Sequence, residues 1–323
     1  MIINGLFFNI CLKSFFLMSA FECIQTPAIH FKQLVDYNYA ENFAIVDGLR
    51  MHYVDENQHS NKIVVLVHGE PTWGYLYRKM IPLFLENGFR VIVPDLIGFG
   101  KSDKLKHRHQ YSYSLNEKWL SSFLFQHLKL TEINFVLHDW GGLIGLRIVA
   151  NFPEKFASVI AMNTALPRFE GVNPVFLLWR FLSQPLLYIP FRKLIPLGIV
   201  KKLSDNELMG YDAPFPSREH KSGPIQFPKL VPQFPWENEL KINKQAWRKL
   251  GEFEAPFLTI FSEKDPFTKR VEEKFIVHIP GAKNQPHLKV KNAGHLLQED
   301  EPILISNHII NFIAKNVRTA NAH

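Results

Sequence analysis

Cysteine is scarce in this chain of 323 residues, which has only Cys11 and Cys23, both near the amino terminus. A disulfide framework, or a metal site made of cysteine thiolates, needs several cysteines spaced through the folded region. The sequence therefore excludes both from the body of the protein. It also has no internal repeat and no low-complexity tract.

The chain has no large excess of charge of one sign, since 37 Lys and Arg accompany 30 Asp and Glu, for a net charge of +7. The densest basic cluster, 101–109, has no aromatic residue between its charges. Nucleic-acid binding usually needs a basic stripe or a recognisable motif. The cluster is better interpreted as a solvated basic loop, and we expect no nucleic-acid partner.

A long unbroken apolar run is missing from the first 25 residues. The runs Leu6–Leu12 and Phe15–Met18 are separated by Lys13. A secretory signal places its positive charge before an apolar stretch of about 7–15 residues, and a membrane span needs about 20. We therefore interpret 1–25 as an N-terminal extension, with Met18 as an alternative start. We expect a cytoplasmic protein without stable membrane association, and export through this segment is the alternative.

Apolar β-rich runs alternate with segments of helical spacing along the rest of the chain. Asp47-Gly48 predicts a hairpin turn, and continuous apolar runs such as Ile63–Val67 are typical of parallel strands covered on both faces. A proline-rich stretch of short helical segments, 166–236, interrupts the pattern, which resumes at Phe257–Phe261. This order predicts an α/β fold with a mostly parallel sheet, helices on both faces and a helical cap insertion.

The predicted divisions are a core in two parts, 26–165 and 237–323, with the cap between them. The other predicted strands are Phe43–Val46, Leu49–Tyr53, Val91–Pro94, Ile133–Leu137, Phe156–Met162 and His287–Val290. The predicted core helices are Tyr75–Asn87, Leu115–Leu128, Leu143–Ala150 and Pro302–Ala314.

The stretch His138–Gly142 joins a predicted strand to a predicted helix through one tight turn that contains two glycines. Strand, tight turn and helix are the setting of the nucleophile elbow of α/β-hydrolases, in which the middle residue stands clear of the sheet. That residue is usually Ser, and here it is Asp139. The structural alternative is a buried Asp that caps the following helix.

Four motifs together resemble the haloalkane dehalogenases, a family within the α/β-hydrolase superfamily. In chain order they are His68–Trp73, Asp95–Asp103, His138–Gly142 and Asn292–His295. Each motif alone is shared with epoxide hydrolases and other α/β-hydrolases, whereas the combination is more specific. The likeness covers almost the whole chain from Ile24 onward. It is strongest to the branch with an Asp-His-Asp triad and two tryptophans at the halide site.

An aspartate nucleophile suits the chemistry that this resemblance implies. A carboxylate, with a reference pKa of about 4, is ionised at neutral pH, so Asp139 needs no base to displace a halide from carbon. The resulting alkyl ester must then be hydrolysed by water, which does need a base. The resemblance, and the chain order of nucleophile, acid and histidine, assign that base to His295. A structural loop histidine is the alternative.

The resemblance offers two positions for the acid that orients the base. One follows the strand after the elbow and is Asn163, whose amide cannot balance an imidazolium charge. The other follows Phe257–Phe261, where Asp265 is the expected acid and Glu263 the second choice. An Asp partner would fix the tautomer of the histidine and stabilise its protonated form.

The oxyanion of ester hydrolysis needs backbone donors. In this fold the residue after the nucleophile supplies one, which is Trp140, and the resemblance gives Glu70 as the second. The Glu70 side chain is expected only to hold water or to shape the site. His68 is expected to be structural, and His138 is either a packed strand-end residue or a group supporting the site.

A departing halide carries nearly a full negative charge, and an indole N–H can donate to it without being acidic. Trp140 and, by resemblance, Trp179 in the cap are the expected halide ligands. A packing role in a cap helix is the alternative for Trp179. The resemblance also implies residues that line the substrate pocket, with core packing an equal alternative: Phe169, Phe176, Phe181, Pro228 and Phe267.

These residues imply hydrolytic dehalogenation of a small apolar halogenated substrate, with water as the second substrate and a halide ion as product. No metal and no organic cofactor is implied, and we expect a monomer. An epoxide hydrolase with the same Asp nucleophile is the alternative, because the cap contains Tyr188 and Tyr211, which could protonate an alkoxide. A non-catalytic binding protein of this fold is a further alternative, although it would gain nothing from an intact triad.

Overall fold

The computed structural model describes residues 21–168, 174–186 and 188–320. The strands are β1 (Cys23–Ile24), β2 (Asn42–Val46), β3 (Leu49–Glu56), β4 (Ile63–Val67), β5 (Arg90–Pro94), β6 (Lys104–Leu105), β7 (Ile133–His138), β8 (Phe156–Met162), β9 (Phe257–Ser262) and β10 (Leu288–Val290). The helices are α1 (Ile81–Glu86), α2 (Tyr113–Ser122), α3 (Trp140–Asn151), α4 (Pro174–Leu186), α5 (Phe191–Leu194), α6 (Asp205–Asp212), α7 (Ser222–Leu230), α8 (Asn238–Leu250), α9 (Val271–His278), α10 (Leu297–Asp300) and α11 (Pro302–Ala320).

Among the described strands, eight form one sheet in the order β10-β9-β8-β7-β4-β5-β3-β2. Every neighbouring pair from β10 to β5 is parallel, and β3 and β2 continue the sheet in antiparallel pairing. All six residues of β7 are buried, as they are in β9, so both faces of the central sheet are covered. The predicted mostly parallel α/β architecture is confirmed.

Two predictions about local structure are wrong. The N-terminal extension was predicted over 1–25, of which 1–20 lie outside the described residues. The rest, 21–25, packs on the core instead, because β1 pairs with β6 and the Phe21 ring lies edge-on to Trp119 at 5.7 Å. The helix predicted over Tyr75–Asn87 is instead a 3₁₀ turn, Gly74–Tyr77, followed by the short α1. Proline lacks a backbone N–H, so it is tolerated in the first turn of a helix but breaks a helix that reaches it from the N-terminal side. Pro82 therefore lies in the first turn of α1, and a helix that began at Tyr75 could not continue through it.

The helices α4 to α7 lie between β8 and α8 in the chain, in the stretch predicted as the cap. Polar contacts tie this cap to the core. Trp73 Nε1 donates to Gly210 O at 3.0 Å, and the Tyr211 hydroxyl donates to the buried carboxylate of Glu299. Arg78, fully buried, donates to Glu299 and, at 2.9 Å, to Glu207 of α6. A buried charge is tolerated only when it is paired in this way.

A second buried arginine fixes the helix that follows the elbow. Arg147 of α3 donates to Asn243 and Glu239 of α8, each at 2.7 Å. Asn243 in turn donates to Pro167 O at 2.6 Å, and Trp247 Nε1 donates to Leu166 O at 2.7 Å. The segment that leads from β8 into the cap is therefore held by α8.

Over the described residues, no helix combines the length and the apolar character that crossing a bilayer would require.

The turn after β7 leaves no room for a side chain at Gly141. A Cβ built there would lie 2.3 Å from Val67 O, so we expect Gly141→Ala to lower the free energy of unfolding by about 1–3 kcal/mol through overpacking. Urea denaturation of the purified variant measures this change. Gly198→Ala is the matched control, because its Cβ would come no closer than 3.4 Å to Leu296. Equal stability of the two variants would contradict the prediction.

Candidate active site

The predicted triad, the predicted backbone donor Glu70 and the rejected acid position Asn163 all follow strands of the parallel part of the sheet. Glu70 follows β4, Asp139 follows β7, Asn163 follows β8, Asp265 follows β9 and His295 follows β10. The carboxyl ends of parallel strands lie at one edge of a sheet, where ligands bind in open α/β folds. Sheet order therefore brings together residues that are far apart in sequence.

Asp139 occupies a strained position in the turn, with φ 49° and ψ −119°. Its side chain makes no capping hydrogen bond to α3, so the structural alternative of a helix cap does not hold. Its carbonyl oxygen instead accepts a hydrogen bond from Thr164 Oγ1 at 2.7 Å. A positive φ is costly for a residue other than glycine, and such strain is often found at functional sites.

One carboxylate oxygen of Asp139 is held by backbone. The Glu70 N–H donates to Asp139 Oδ1 at 2.8 Å. The Trp140 N–H also lowers the pKa of this carboxylate. The preceding Gly69 allows the approach, since a Cβ there would lie 2.2 Å from Asp139 Oδ1. The two backbone groups predicted as oxyanion donors therefore both face the side chain of the predicted nucleophile.

His295 lies between two carboxylates. Its Nε2 is 3.5 Å from Asp139 Oδ2, and its Nδ1 is 3.1 Å from Asp265 Oδ2. Burial lowers the pKa of His295, but the charges of Asp265 and Asp139 and their contacts with the ring raise it well above its ordinary value. The protonated form is therefore favoured while Asp139 is ionised.

Asp265 is buried behind His295 and is held from its other side. Phe267 N donates to Asp265 Oδ1 at 2.9 Å, and the Thr268 hydroxyl donates to Oδ2. Burial raises the pKa of Asp265, but His295 and these two donors outweigh it and bring the pKa to about 2. Glu263, the second choice, is exposed, whereas Asp265 contacts Nδ1 of His295.

The carboxylate of Asp139 is also kept ionised. Burial raises its pKa, whereas the contact and charge of His295, the charge of His138 when protonated, and the Trp140 N–H together hold the pKa below its ordinary value. Glu70 behaves differently, because burial and the adjacent charge of Asp139 raise the pKa of its side chain well above the ordinary range. Its Oε1 atom has no hydrogen-bond partner among the described residues.

A cavity of about 520 Å³ opens at these residues. Asp139 and His295 lie in its wall, and most of the remaining lining is apolar. Of the residues predicted to line the pocket, Phe176, Pro228 and Phe267 do so. Phe169 lies outside the described residues. The prediction for Phe181 is wrong, because it points away from the cavity on α4 and is 76% exposed.

Both predicted halide ligands line the cavity. Trp140 is buried against the rings of Tyr113 and Phe227, and the Trp179 ring lies 5.7 Å from that of Phe267. Neither indole N–H has a hydrogen-bond partner among the described residues. Trp236, by contrast, is 73% exposed and does not line the cavity.

The cap tyrosines do not provide the acid pair that an epoxide hydrolase needs. The Tyr211 hydroxyl is fully buried and donates to Glu299. Tyr188 is partly exposed and lies under the guanidinium of Arg218 at 3.9 Å. Neither residue lines the cavity among the part of the chain that the structure describes.

Sequence reasoning missed several polar residues around the cavity. Thr164 supports Asp139 and Thr268 supports Asp265. Thr164 lies just after β8 and Thr268 three residues after Asp265, so both could have been found as hydroxyl donors close to weighed positions. His68 is structural, since its Nδ1 donates to Gly69 O and its Nε2 accepts from Leu96 N, each at 3.0 Å. The cavity is also lined by polar or aromatic residues that no local pattern marks: Arg168, Gln233, Trp247 and Lys274.

Comparison with known proteins agrees with this geometry. Residues 62–194 match a family model described as the alpha/beta hydrolase fold. A haloalkane dehalogenase of Mycobacterium marinum is 40% identical over 90% of this chain and 99% of its own length, and one of Psychrobacter cryohalolentis is 42% identical over 92% and 100%.

A solved structure gives the same answer. The haloalkane dehalogenase DpaA of Paraglaciecola agarilytica has 30% identity and a TM-score of 0.83, with 91% of this chain and 98% of that one covered. Because the identity extends over nearly the full length of the relatives, this protein belongs to the haloalkane dehalogenases, hydrolases of the α/β-hydrolase fold that act on carbon–halogen bonds.

Proposed function

We propose that this enzyme hydrolyses small apolar haloalkanes to an alcohol and a halide through an alkyl ester on Asp139. One observation carries the assignment of residues. Asp139 Oδ1 accepts the Glu70 N–H at 2.8 Å, whereas Oδ2 has a longer contact, 3.5 Å, with His295 Nε2. The two oxygens of one carboxylate are therefore available for different tasks.

The first step uses Asp139 Oδ2 as the nucleophile. It attacks the halogen-bearing carbon, the C–O bond forms, and the carbon–halogen bond breaks with its electron pair leaving on the halide. The indole N–H groups of Trp140 and Trp179 stabilise that anion, for which an apolar cavity provides little other solvation. No base takes part in this step.

The second step returns the enzyme to its starting state. His295 Nε2 takes a proton from water, and the oxygen of that water attacks Asp139 Cγ. Negative charge then develops on Oδ1, to which the Glu70 N–H already donates, with the Trp140 N–H as the second donor to this carboxylate. Collapse of the intermediate breaks the bond between Cγ and the alkyl-bearing Oδ2, and the alcohol leaves with the proton from His295. The carboxyl group left on Asp139 now carries the oxygen of the water, and it returns to the carboxylate by losing its remaining proton to solvent. Asp265 stabilises the imidazolium formed on the way.

Charge links the two steps. The Asp139 carboxylate is one of the groups that raise the pKa of His295. Alkylation removes that negative charge, so the pKa of His295 falls when the ester forms. The histidine is therefore more readily neutral, and able to act as a base, in the step that requires a base.

The remaining expectations are part of this proposal: a monomer in the cytoplasm that detoxifies haloalkanes and forms no stable membrane association. DpaA has a tetrameric structure, so association of this chain is a real alternative. Light scattering on the purified protein separates monomer from tetramer, and cell fractionation tests the location.

We expect His295→Phe to complete the first step and stop before the second. With a 1-bromoalkane, the variant should release a single equivalent of bromide and retain the alkyl group. Intact mass spectrometry measures the added mass, and peptide mapping should place it on Asp139. Asp139→Ala is the control and should give neither bromide nor adduct. If His295→Phe stays unmodified although substrate binds, the two-step assignment fails.

We expect Trp179→Phe to weaken halide binding, because it keeps the ring but removes the N–H. Loss of a hydrogen bond to a charged group costs about 1.5–3 kcal/mol. Quenching of tryptophan fluorescence by bromide measures the affinity. The matched control is Trp236→Phe, which changes an exposed indole outside the cavity. Equal bromide affinity of the two variants would remove Trp179 from the halide site.

We expect Asp265→Asn to change both the pH dependence and the rate of ester hydrolysis. Asp265 is the largest influence raising the pKa of His295 against burial, so without its charge the rate should reach its plateau at lower pH. The plateau itself should fall about a hundredfold or more, because the imidazolium loses its partner. Quench-flow decay of the alkyl-enzyme measures both, with exposed Glu263→Gln as control. An unchanged profile would contradict the role of Asp265.

A further inference from the structure

The backbone carbonyl of His295 accepts two side-chain hydrogen bonds. His138 Nε2 donates to it at 2.9 Å, and Asn163 Nδ2 donates at the same distance. Both donors are fully buried. The loop that carries the base is therefore anchored through its main chain, at the residue whose side chain must reach the ester.

We propose that His138 is a positioning residue for His295, which sets the distance between the nucleophile and the base. This inference rests on the two-step function proposed above. His138 immediately precedes Asp139 in the chain, and its side chain donates to the main-chain carbonyl of His295. This one hydrogen bond therefore links the strand that carries the nucleophile to the loop that carries the base. Its ring centroid lies 5.0 Å from that of His295.

Packing alone does not explain a histidine at this place. A carbonyl oxygen can only accept, so Nε2 of His138 carries the proton and Nδ1 has a lone pair. That Nδ1 atom is buried and has no hydrogen-bond partner in the described residues. An unpaired buried acceptor is unfavourable, and an aliphatic side chain would avoid it. The bond to His295 O is the compensating interaction of this side chain.

The surrounding contacts fix the rest of the loop, and the bond from His138 ties that loop to the strand of the nucleophile. Asn163 Nδ2 also donates to Gly294 O at 3.0 Å, and Ser262 N donates to Asn163 Oδ1 at 2.9 Å. Asp300 Oδ2 accepts from Gly294 N at 2.8 Å. Asn163 follows β8, Ser262 ends β9 and Asp300 ends α10, whereas His138 ends β7, the strand that leads to the nucleophile.

His138 also stays neutral beside a charged base. Burial and the positive charge of His295 lower the pKa of His138 to about 4, against the opposing influence of Asp139, Asp265 and the bonded carbonyl. A neutral His138 adds no second positive charge next to the imidazolium. The neutral ring keeps its proton on Nε2, so the bond to His295 O is retained in both protonation states of His295.

The test compares His138→Leu with His138→Gln. Leucine removes the donor, whereas glutamine places an Nε2 donor the same number of bonds from Cα as in histidine. The substrate is a 1-bromoalkane in excess. Rapid-quench measurement of bromide gives the rate of ester formation, and intact mass spectrometry gives the rate at which the alkyl-enzyme decays.

We expect His138→Leu to slow decay of the alkyl-enzyme about ten- to hundredfold, since small misplacement of a catalytic group has effects of this size. Ester formation should change less than about twofold because it needs no base. The adduct should accumulate in the leucine variant, and His138→Gln should restore decay to near the original rate. His287→Leu, a half-buried histidine that bonds strand β9 outside the cavity, is the control and should leave both steps unchanged.

Three results would overturn the inference: unchanged decay in His138→Leu, a parallel loss of both steps, or a glutamine variant as slow as the leucine variant. If His138→Leu does not fold, His138→Met replaces it with the same expectation. Failure of the proposed function is a separate result, because the unsubstituted enzyme would then release no bromide.

Discussion

The active site depends on the hydrogen bond from the Glu70 N–H to Asp139 Oδ1, which is 2.8 Å long. Burial and the surrounding donors have opposite effects on the pKa of this carboxyl group. An apolar cavity favours the neutral form of a carboxylic acid, yet the proposed nucleophile is useful only when ionised. Backbone donors and His295 together keep the pKa of Asp139 below its ordinary value. The wall of the same cavity contains two indole N–H groups that have no hydrogen-bond partner within the described part of the chain, and it offers a departing halide few other partners.

That hydrogen bond depends on a backbone that approaches very closely. Gly69 brings β4 against the Asp139 side chain, and Gly141 lets α3 begin against Val67 O. The positive φ of Asp139 is retained because Thr164 Oγ1 holds its carbonyl oxygen and every residue of β7, the strand that ends before the turn, is buried. The rigidity of the central sheet thus stabilises the strained turn, and the turn presents the carboxylate to the cavity.

Much of the fold could be predicted from the sequence because its signals are local. Asp47-Gly48 indicated the hairpin of β2 and β3, and the glycines after Asp139 indicated a tight turn between β7 and α3. The prediction of helix boundaries and of which side of a helix faces the cavity was weaker. Helical spacing over Tyr75–Asn87 did not reveal that Pro82 begins a separate helix, and the aromatic stretch of α4 did not reveal that Phe176 faces the cavity while Phe181 faces solvent.

The sequence by itself determined which residue types stand at the strand ends: an aspartate in the elbow, a histidine after the last strand and an acid after β9. Only the tertiary structure decided which Asp139 oxygen the backbone holds, and that His138 and Asn163 share the carbonyl of His295. The physical reason is sheet order. The order β10-β9-β8-β7 brings the end of the last strand next to the elbow, so that His138 and His295, 157 positions apart, come within hydrogen-bond distance, and no local pattern encodes such a contact.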